Sequence, residues 1–331
     1  MRRVLLVLFV LAMVLGGAVA GAGLWWLNQP LTISGPAADV SIEPGTSAQG
    51  AALVVSQSGI DVMPDLLYAW FRFSGQARQI KAGSYEIEQG TTPHSLLRKL
   101  VQGEEALRSV TLVEGWTFRQ VRDVLAKADQ LDPTTAGWTD DAVMAKLGKP
   151  GINPEGRFFP DTYSYSKGSS DWKLLARAMR SMDKHLLAAW AVRSPDTPLQ
   201  SPEQALILGS IVEKETGRAQ DRAMIAAVFV NRLRVGMLLQ TDPSVIFGMG
   251  SRFDGNLHKR DLQTDHPWNT YTRAGLPPTP IAIPGKQSLL AAVSPAPSKA
   301  LYFVSRGDGT SEFSDNLAAH NRAVDKYQRK Q

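Results

Sequence analysis

Two carboxylates that could carry out acid–base chemistry, Glu213 and Glu215, lie two residues apart in the chain. Many glycosidases place two carboxylates about 5–10 Å apart across the bond they cleave. Residues two apart on a helix point about 200° away from each other, so these two cannot both face one bond. Either one acts on a substrate while the other has a structural role, or neither is catalytic. Glu215 is the better candidate because Thr216 and the helix-ending Gly217 follow it, whereas Glu213 could pair with a base on a neighbouring helix.

The element that must position Glu215 is a helix that the sequence predicts from Ser201 to Gly217. Ser201 is a favourable N-cap, Pro202 suits the first helical position, and Gln204 is placed to complete a capping box with Ser201. Apolar residues then recur at helical spacing and predict one buried face: Leu208, Ile211 and Val212. The sequence therefore predicts a half-buried helix.

Glu215 falls in the last turn of this helix. Apolar neighbours disfavour its charged form, and so does the negative end of the helix dipole. Both effects predict a raised pKa, which is what a general acid needs near neutral pH.

Other reaction types have weaker support. Ser210 precedes Lys214 by one helical turn, a spacing found in serine–lysine dyads, but its apolar surroundings favour a small packing residue. The sequence contains no Gly-x-Ser-x-Gly elbow and no glycine-rich phosphate loop. It also contains no cysteine, and its five histidines are not at metal-ligand spacing. We therefore expect no thiol chemistry, metal or other cofactor.

The charge of the chain suits an anionic surface or polymer. Lysine and arginine number 36 against 31 acidic residues, a formal net charge of +5. The basic residues are spread out and form no tract with interleaved aromatic residues, so a nucleic-acid partner is not indicated. A mild positive field is compatible with a membrane surface or an acidic glycan.

The N-terminal segment predicts a membrane anchor. Arg2 and Arg3 precede an uncharged apolar run over residues 4–27, which closes with Trp25 and Trp26. As a helix this run is about 36 Å long, enough to span a bilayer. The arginines place residues 1–28 as a cytoplasmic tip plus a transmembrane helix, with the remaining chain outside the cytoplasm. The alternative is a signal peptide cleaved after residues 18–20, but the apolar run continues past that site.

The rest of the chain predicts an α+β protein in three parts. Residues 29–39 are rich in proline and glycine and predict a linker, residues 40–107 predict a small α+β module, and residues 108–331 form the larger domain. In the module, a strand, a Gly-Thr or similar turn and a helix recur, through duplication or by chance, with Ser or Thr placed as the N-cap. The larger domain predicts helices over 171–192 and 221–235, a loop-rich region beyond 236, and a last helix over 316–327.

Several ordered motifs resemble the endolytic murein transglycosylase (YceG-like) family. The main ones are Ser210-Ile-Val-Glu-Lys-Glu-Thr216, Val230-Asn-Arg-Leu233 and Leu239-Gln-Thr-Asp-Pro-Ser-Val245. The resemblance continues through Phe159-Pro-Asp-Thr-Tyr163, Asn269-Thr-Tyr271, Gly275-Leu-Pro-Pro278, Tyr302-Phe-Val304 and His320-Asn321. It covers nearly the whole chain.

This resemblance implies a single-pass inner-membrane protein that faces the periplasm. It implies a LysM-like module at 40–107 and a mainly helical domain similar to lytic transglycosylases at 108–331. The implied reaction cleaves the β-1,4 bond between N-acetylmuramic acid and N-acetylglucosamine within nascent glycan strands and leaves 1,6-anhydro ends. Peptidoglycan synthases are the implied partners. The alternative function is a noncatalytic, membrane-anchored scaffold that binds peptidoglycan or its synthases.

The resemblance also implies roles for individual residues. The family's catalytic glutamate, which precedes Thr or Ser, maps onto Glu215. Gln240 is the next residue expected in the substrate cleft. Asn269 and Tyr271 either hold sugar hydroxyl or acetamido groups or stabilise their loop by hydrogen bonds.

Overall fold

The computed structural model describes residues 2–329, and the chain divides into two compact units. The first unit comprises the chain up to Arg108 together with Tyr165–Gly168, and the second comprises Ser109–Ser164 and the chain from Ser169 onward. Each contains helices and short antiparallel strands, which confirms the predicted mixed α+β class. Met1, Lys330 and Gln331, at the ends of the predicted anchor and catalytic domain, lie outside the described residues.

The first unit begins with helix α1 (Arg2–Leu27). Within it, Leu8–Leu27 is long and apolar enough to cross a membrane by length and composition. The exposed side chains of this segment include Met13, which is 64% exposed, and Trp25, which is 66% exposed. The side chains of Arg2 and Arg3, on which the predicted orientation rests, are outside the described part of the structure.

The remainder of the first unit packs three short helices on two small sheets. Its elements are β1 (Thr32–Ile33), β2 (Ala37–Ile42), α2 (Ala48–Gln57), β3 (Ile60–Asp61), α3 (Pro64–Phe73), β4 (Gly83–Glu88) and α4 (Pro93–Gln102). β1 pairs antiparallel with β3, and β2 with β4, with Val40 opposite Tyr85. The predicted linker at 29–39 carries β1 and the start of β2, and Leu31 is buried, so this segment belongs to the folded unit.

Predicted helix starts after the Gly-Thr and similar turns are confirmed. Ser47 caps α2 by accepting a hydrogen bond from the Gly50 N–H, and Thr92 caps α4 with a complete capping box. Thr117 does the same for α5 (Phe118–Ala126) in the second unit. Local hydrogen-bonding capacity therefore sets these boundaries.

The second unit is mainly helical. Strands β5 (Leu107–Thr111) and β6 (Thr162–Ser166) carry the chain between the units and form a two-stranded sheet. The helices that follow α5 are α6 (Asp140–Lys146), α7 (Asp171–Ala191), α8 (Pro202–Glu215), α9 (Ala219–Arg234), α10 (Asp242–Met249), α11 (Lys259–Gln263), α12 (Lys286–Val293) and α13 (Leu317–Tyr327). Between α12 and α13 lies the antiparallel hairpin β7 (Tyr302–Ser305) and β8 (Ser311–Ser314).

The prediction of a loop-rich region beyond residue 236 is wrong for three segments, since α10, α11 and α12 lie there. These helices have only five to eight residues, too short to show a clear 3.6-residue period. Helix α12 nevertheless buries Leu289 and Val293 and packs against α7, α8 and α9. It completes the core around the helix that carries Glu215.

Candidate active site

Helix α8 starts where the sequence predicts, through a simpler cap. The Ser201 hydroxyl accepts a hydrogen bond from the Gln204 N–H, and Pro202 occupies the first helical turn. The predicted return bond of the capping box is wrong, because the Gln204 side chain accepts from the Gln200 N–H, one residue before the cap. The helix is still anchored at its first turn by both residues.

The middle of α8 is enclosed on all sides, which corrects the prediction of a half-buried helix. Every residue from Ala205 to Val212 is buried, because α7, α9 and α12 all pack on it. At Gly209, a Cβ atom would lie 3.2 Å from the Leu289 side chain, so the glycine permits the close approach of α12. Such a helix holds its C-terminal residue, Glu215, in a fixed position.

Burial raises the pKa of Glu215 to about 7. The Thr241 hydroxyl donates a hydrogen bond to Oε1 of Glu215 and lowers the pKa. The negative charge of Asp242 raises the pKa, and the positive charge of Arg232 lowers it. The predicted direction is thus confirmed, and the carboxyl group is about half protonated at neutral pH.

Buried hydroxyl groups hold Thr241 in place. The Thr241 N–H donates to Oγ1 of Thr270 at 3.0 Å, and Oγ of Ser244 donates to the Thr241 carbonyl at 2.8 Å. Ser244 and Thr270 also share a hydrogen bond at 2.9 Å. All three side chains are at most 2% exposed. This network fixes the hydroxyl that contacts Glu215.

Arg232 on α9 supplies a buried positive charge near Glu215. Its guanidinium donates to the carbonyls of Leu301 and Leu239, each at 2.7 Å, and lies 5.4 Å from the centre of the Tyr302 ring. Burial lowers its pKa from the usual range. Backbone carbonyl groups accept hydrogen bonds from Nε and from one terminal nitrogen of Arg232, which makes burial of this charge tolerable. The positive charge of Arg232 then acts on Glu215 by lowering its pKa.

A cavity of about 590 Å³ opens beside Glu215. The residues of its lining that bear on chemistry are Glu215, Arg232, Gln240, Asp242, Tyr271 and His320. They come from α8, α9, α10, α13 and the loops between them, and the cavity is large enough for sugar units.

Gln240 and Tyr271 both line this cavity. Gln240 has a φ of 50°, a left-handed conformation that is uncommon outside glycine, and its N–H donates to the Thr270 carbonyl at 3.0 Å. The Tyr271 hydroxyl donates to Oδ1 of Asp242. Burial and this hydrogen bond raise the pKa of Tyr271, so its phenol stays protonated.

Asn269 lies outside the cavity lining. Its side chain is fully buried, and its amide donates to the carbonyls of Asp261, Leu262 and Thr264 at 2.7–3.3 Å. Its Oδ1 accepts from the Tyr271 N–H at 2.8 Å. Of the two roles that the sequence left open for Asn269, this geometry supports loop stabilisation and not contact with a sugar.

Glu213 has the structural role that helical spacing left open for it. Its carboxylate accepts from Arg222 of α9 at 3.3 Å and from the Gly285 N–H at 2.9 Å. The side chain is 6% exposed. Glu213 thereby ties α8 to α9 and to the start of α12.

Ser210 and Lys214 do not form a dyad. The Ser210 hydroxyl donates to the Ile207 carbonyl at 2.7 Å and accepts from the Ile281 N–H at 3.0 Å. Lys214 donates to the Gly115 carbonyl at 3.2 Å. Ser210 is fully buried and serves packing and backbone satisfaction.

The sequence reasoning missed Thr241, Asp242 and His320 as site residues. His320 stacks on Tyr302 with ring centres 5.1 Å apart, and its Nδ1 is buried without a partner among residues 2–329. Burial, with the charge of Arg232, lowers the pKa of His320, which favours the neutral imidazole. All three residues stand in motifs that carry the family resemblance, but only the fold brings them to Glu215.

Known proteins resemble this chain over most of its length. A protein of Bacillus subtilis named endolytic murein transglycosylase is 28% identical over 87% of this chain and 84% of its own. One of Streptococcus pneumoniae with the same name is 25% identical over 86% of this chain and 57% of its own. The crystal structure of a YceG-like protein of Listeria monocytogenes has a TM-score of 0.52 and 25% identity, covering 87% of this chain and 98% of the other. A profile of the YceG-like family matches residues 40–326, so the chain belongs to that family.

Proposed function

We propose that this chain is a lytic transglycosylase that cleaves peptidoglycan strands internally. One observation carries the proposal: a half-buried glutamate, with its pKa raised to about 7, stands in the wall of a sugar-sized cavity. The Bacillus subtilis relative, of which this chain covers 84%, is named an endolytic murein transglycosylase, which supports the same reaction here.

Glu215 acts first as a general acid and then as a general base. Its proton passes to the bridging oxygen as the β-1,4 bond between N-acetylmuramic acid and N-acetylglucosamine breaks. The 6-hydroxyl of the muramic acid then attacks its own anomeric carbon, and the Glu215 carboxylate takes the hydroxyl proton. Glu215 returns to its starting state, and the products are a free N-acetylglucosamine 4-hydroxyl and a 1,6-anhydro end.

The hydrogen-bonding pattern of Glu215 suits this cycle. Thr241 engages Oε1, which leaves Oε2 for proton transfer. Gln240 and Tyr271, which line the same cavity, offer an amide and a phenol that match sugar hydroxyl and acetamido groups.

Asp242 supports one rival reaction, hydrolysis by two carboxylates. Asp242 lines the cavity together with Glu215, and its negative charge raises the pKa of Glu215. In a hydrolase, Asp242 would activate water or attack the sugar, and the products would have reducing ends. The bond that Tyr271 donates to Asp242 favours a structural role for this carboxylate.

The proposed layout puts the reaction at a membrane surface. Helix α1 anchors the chain in the inner membrane, with the N-terminus in the cytoplasm and the remainder of the first unit and the whole second unit in the periplasm. Residues 40–107 form a LysM-like module and residues 108–331 the catalytic domain, and the division of the chain near Arg108 supports this boundary. An anchored enzyme would act on nascent strands beside their synthases.

Product analysis tests the proposal directly. Purified full-length chain is incubated with intact glycan strands, and the fragments are identified by mass spectrometry. We expect anhydro-ended fragments from the unmodified chain and none from Glu215→Gln. Glu203→Gln, at the other end of α8 where Glu203 pairs with Arg157, serves as the matched control and keeps its activity.

Other outcomes point to the alternatives. Equal yields from Glu215→Gln would contradict the catalytic assignment and favour the scaffold, particularly if the variant still sediments with isolated sacculi. Fragments that carry only reducing ends would favour hydrolysis.

A further inference from the structure

Helix α3 of the first unit, together with its N-cap Met63, carries an exposed apolar stripe formed by Met63, Leu66, Trp70 and Phe73. Met63, Leu66 and Phe73 are 69%, 43% and 88% exposed, and Trp70 is half-buried. The spacing of three, four and three residues puts all four along one side of the helix. We call this set the α3 stripe.

The two other sides of α3 have different surroundings. Leu67 and Phe71 are fully buried in the core of the first unit. The charged residues Asp65 and Arg72 lie on a third side of the helix, between the stripe and the buried side. The helix is therefore amphipathic beyond the needs of its own core, and an exposed apolar patch of this kind marks a contact surface.

One residue of the α3 stripe, Trp70, contacts the start of the helix that α1 touches. The Trp70 indole donates to the Pro93 carbonyl at 3.1 Å, and its ring lies 6.0 Å from that of His94. These residues begin α4, which contacts α1. Trp26, near the end of α1, packs on the same hydrophobic core as Trp70.

The link between α1 and this core is short and fixed. Only four residues separate Leu27 from Thr32, and within them the Leu31 N–H donates to the Thr91 carbonyl at 2.8 Å. The first unit therefore stays next to the point where α1 would leave a bilayer. Tryptophans such as Trp25 and Trp26 favour the headgroup region at that point.

We propose that the α3 stripe lies in the headgroup region of the same bilayer that α1 spans. The inference rests on the proposed anchoring by α1. An amphipathic helix at a membrane surface buries its apolar side about 5–10 Å into the lipid. Trp70, with a buried edge and an indole N–H bonded to protein, suits that boundary. The first unit thus has two attachments to the membrane, which restrict its rotation about α1.

Because the chain has no cysteine, single-cysteine variants of the full-length protein can carry one nitroxide label each. Labels at Leu66→Cys and Phe73→Cys report on the α3 stripe, and a label at Met13→Cys reports on α1. Leu187→Cys on α7 is the matched control, since Leu187 is also an exposed leucine, at 61%. The proteins are placed in nanodiscs of phosphatidylethanolamine and phosphatidylglycerol. Electron paramagnetic resonance then measures relaxation by oxygen, which concentrates in lipid, and by an aqueous nickel chelate.

We expect the labels at positions 66, 73 and 13 to gain relaxation by oxygen and lose relaxation by nickel relative to the label at 187. If Met13 behaves this way while positions 66 and 73 match Leu187, the stripe is in water and the inference is overturned. Protection of positions 66 and 73 from both reagents would indicate a protein cover and would also overturn it. A water-accessible label at Met13 would overturn the anchor itself.

Discussion

Two regions of the second unit each contain a glutamate whose pKa is raised to about 7 by loss of solvent, yet their surroundings differ. Glu155 packs against the start of α5. Both of its carboxylate oxygens accept a hydrogen bond from the Phe118 N–H, each at 3.1 Å. Glu215 lies at the end of α8, accepts a hydroxyl from Thr241 on Oε1, and faces a cavity. The first stabilises a helix terminus, and the second is open to a ligand.

This difference shows that a raised pKa alone does not identify a catalytic acid. Burial shifts both glutamates in the same direction and to a similar value. What separates them is the commitment of their oxygens and the space beside them. A proton donor needs a free oxygen within reach of a substrate, and Glu215 lines the cavity of about 590 Å³ while Glu155 is not part of its lining.

The largest expected effect comes from replacing Glu215 with glutamine, and the same replacement at Glu155 provides the comparison. Glu215→Gln should lower turnover of glycan strands by about 10²–10⁴-fold, because general acid–base catalysis contributes that much. Glu155→Gln should retain turnover, since Glu155 does not line the cavity. Release of anhydro-ended fragments with time measures both. A comparable loss in the two variants would remove the distinction drawn between them.

Removing the hydroxyl that holds Glu215 should have the next largest effect. Thr241→Val deletes one buried hydrogen bond, worth about 1–3 kcal/mol, so kcat should fall about 10-fold to 100-fold. The hydroxyl lowers the pKa of Glu215, so its loss should raise that pKa and move the alkaline limb of the kcat/KM profile to higher pH. Thr241→Ser, which keeps the hydroxyl group, should retain the kcat and the alkaline limb of the unmodified chain. An unchanged profile would mean that Thr241 only fills space.

A smaller effect is expected from the neighbouring carboxylate. Asp242→Asn removes a negative charge that raises the pKa of Glu215, so the alkaline limb should move to lower pH. Activity at neutral pH should fall by about tenfold or less, because the protonated fraction of Glu215 declines. Rates measured from pH 5 to 9 provide the test. A loss as large as that of Glu215→Gln, without a shifted limb, would instead assign Asp242 to the chemistry.

The smallest effect on activity, but a clear effect on stability, is expected at Glu155. Its folded pKa of about 7 lies above the usual 4.5, so the folded chain keeps a proton that the unfolded chain releases in this range. This contribution to the unfolding free energy is fully present below pH 4.5 and is lost as pH rises to 7, at about 1.4 kcal/mol per unit. Glu155→Gln should therefore weaken the fall of the thermal midpoint between pH 4.5 and 7, as followed by near-ultraviolet circular dichroism. A midpoint with the same pH dependence in variant and unmodified chain would show that another group is responsible.

The helix that presents Glu215 could be predicted because its signals are local. Ser201 marks the start, apolar residues recur at helical spacing, and the 200° separation assigns different directions to Glu213 and Glu215. The structure confirms the helix, the raised pKa and the pairing of Glu213 with a base on α9.

The residues around Glu215 could not be predicted in the same way, because their roles depend on contacts between distant segments. Thr241 and Asp242 reach Glu215 from a later helix, and nothing in their neighbours along the chain indicates a buried hydroxyl network. Asn269 has a residue type that suits both a sugar contact and a loop, and only its burial distinguishes them. Helix α12 is too short for its period to be recognised, although it closes the core.

Because the partners of Glu215 come from α9 and from the start of α10, its acidity exists only after the second unit has folded. In an extended chain the same side chain has an ordinary pKa near 4.5 and is ionised at neutral pH. An unfolded polypeptide would therefore have no proton on Glu215 to donate. The chain would therefore become able to cleave glycan strands only after it has folded, which would protect the cell wall from earlier cleavage.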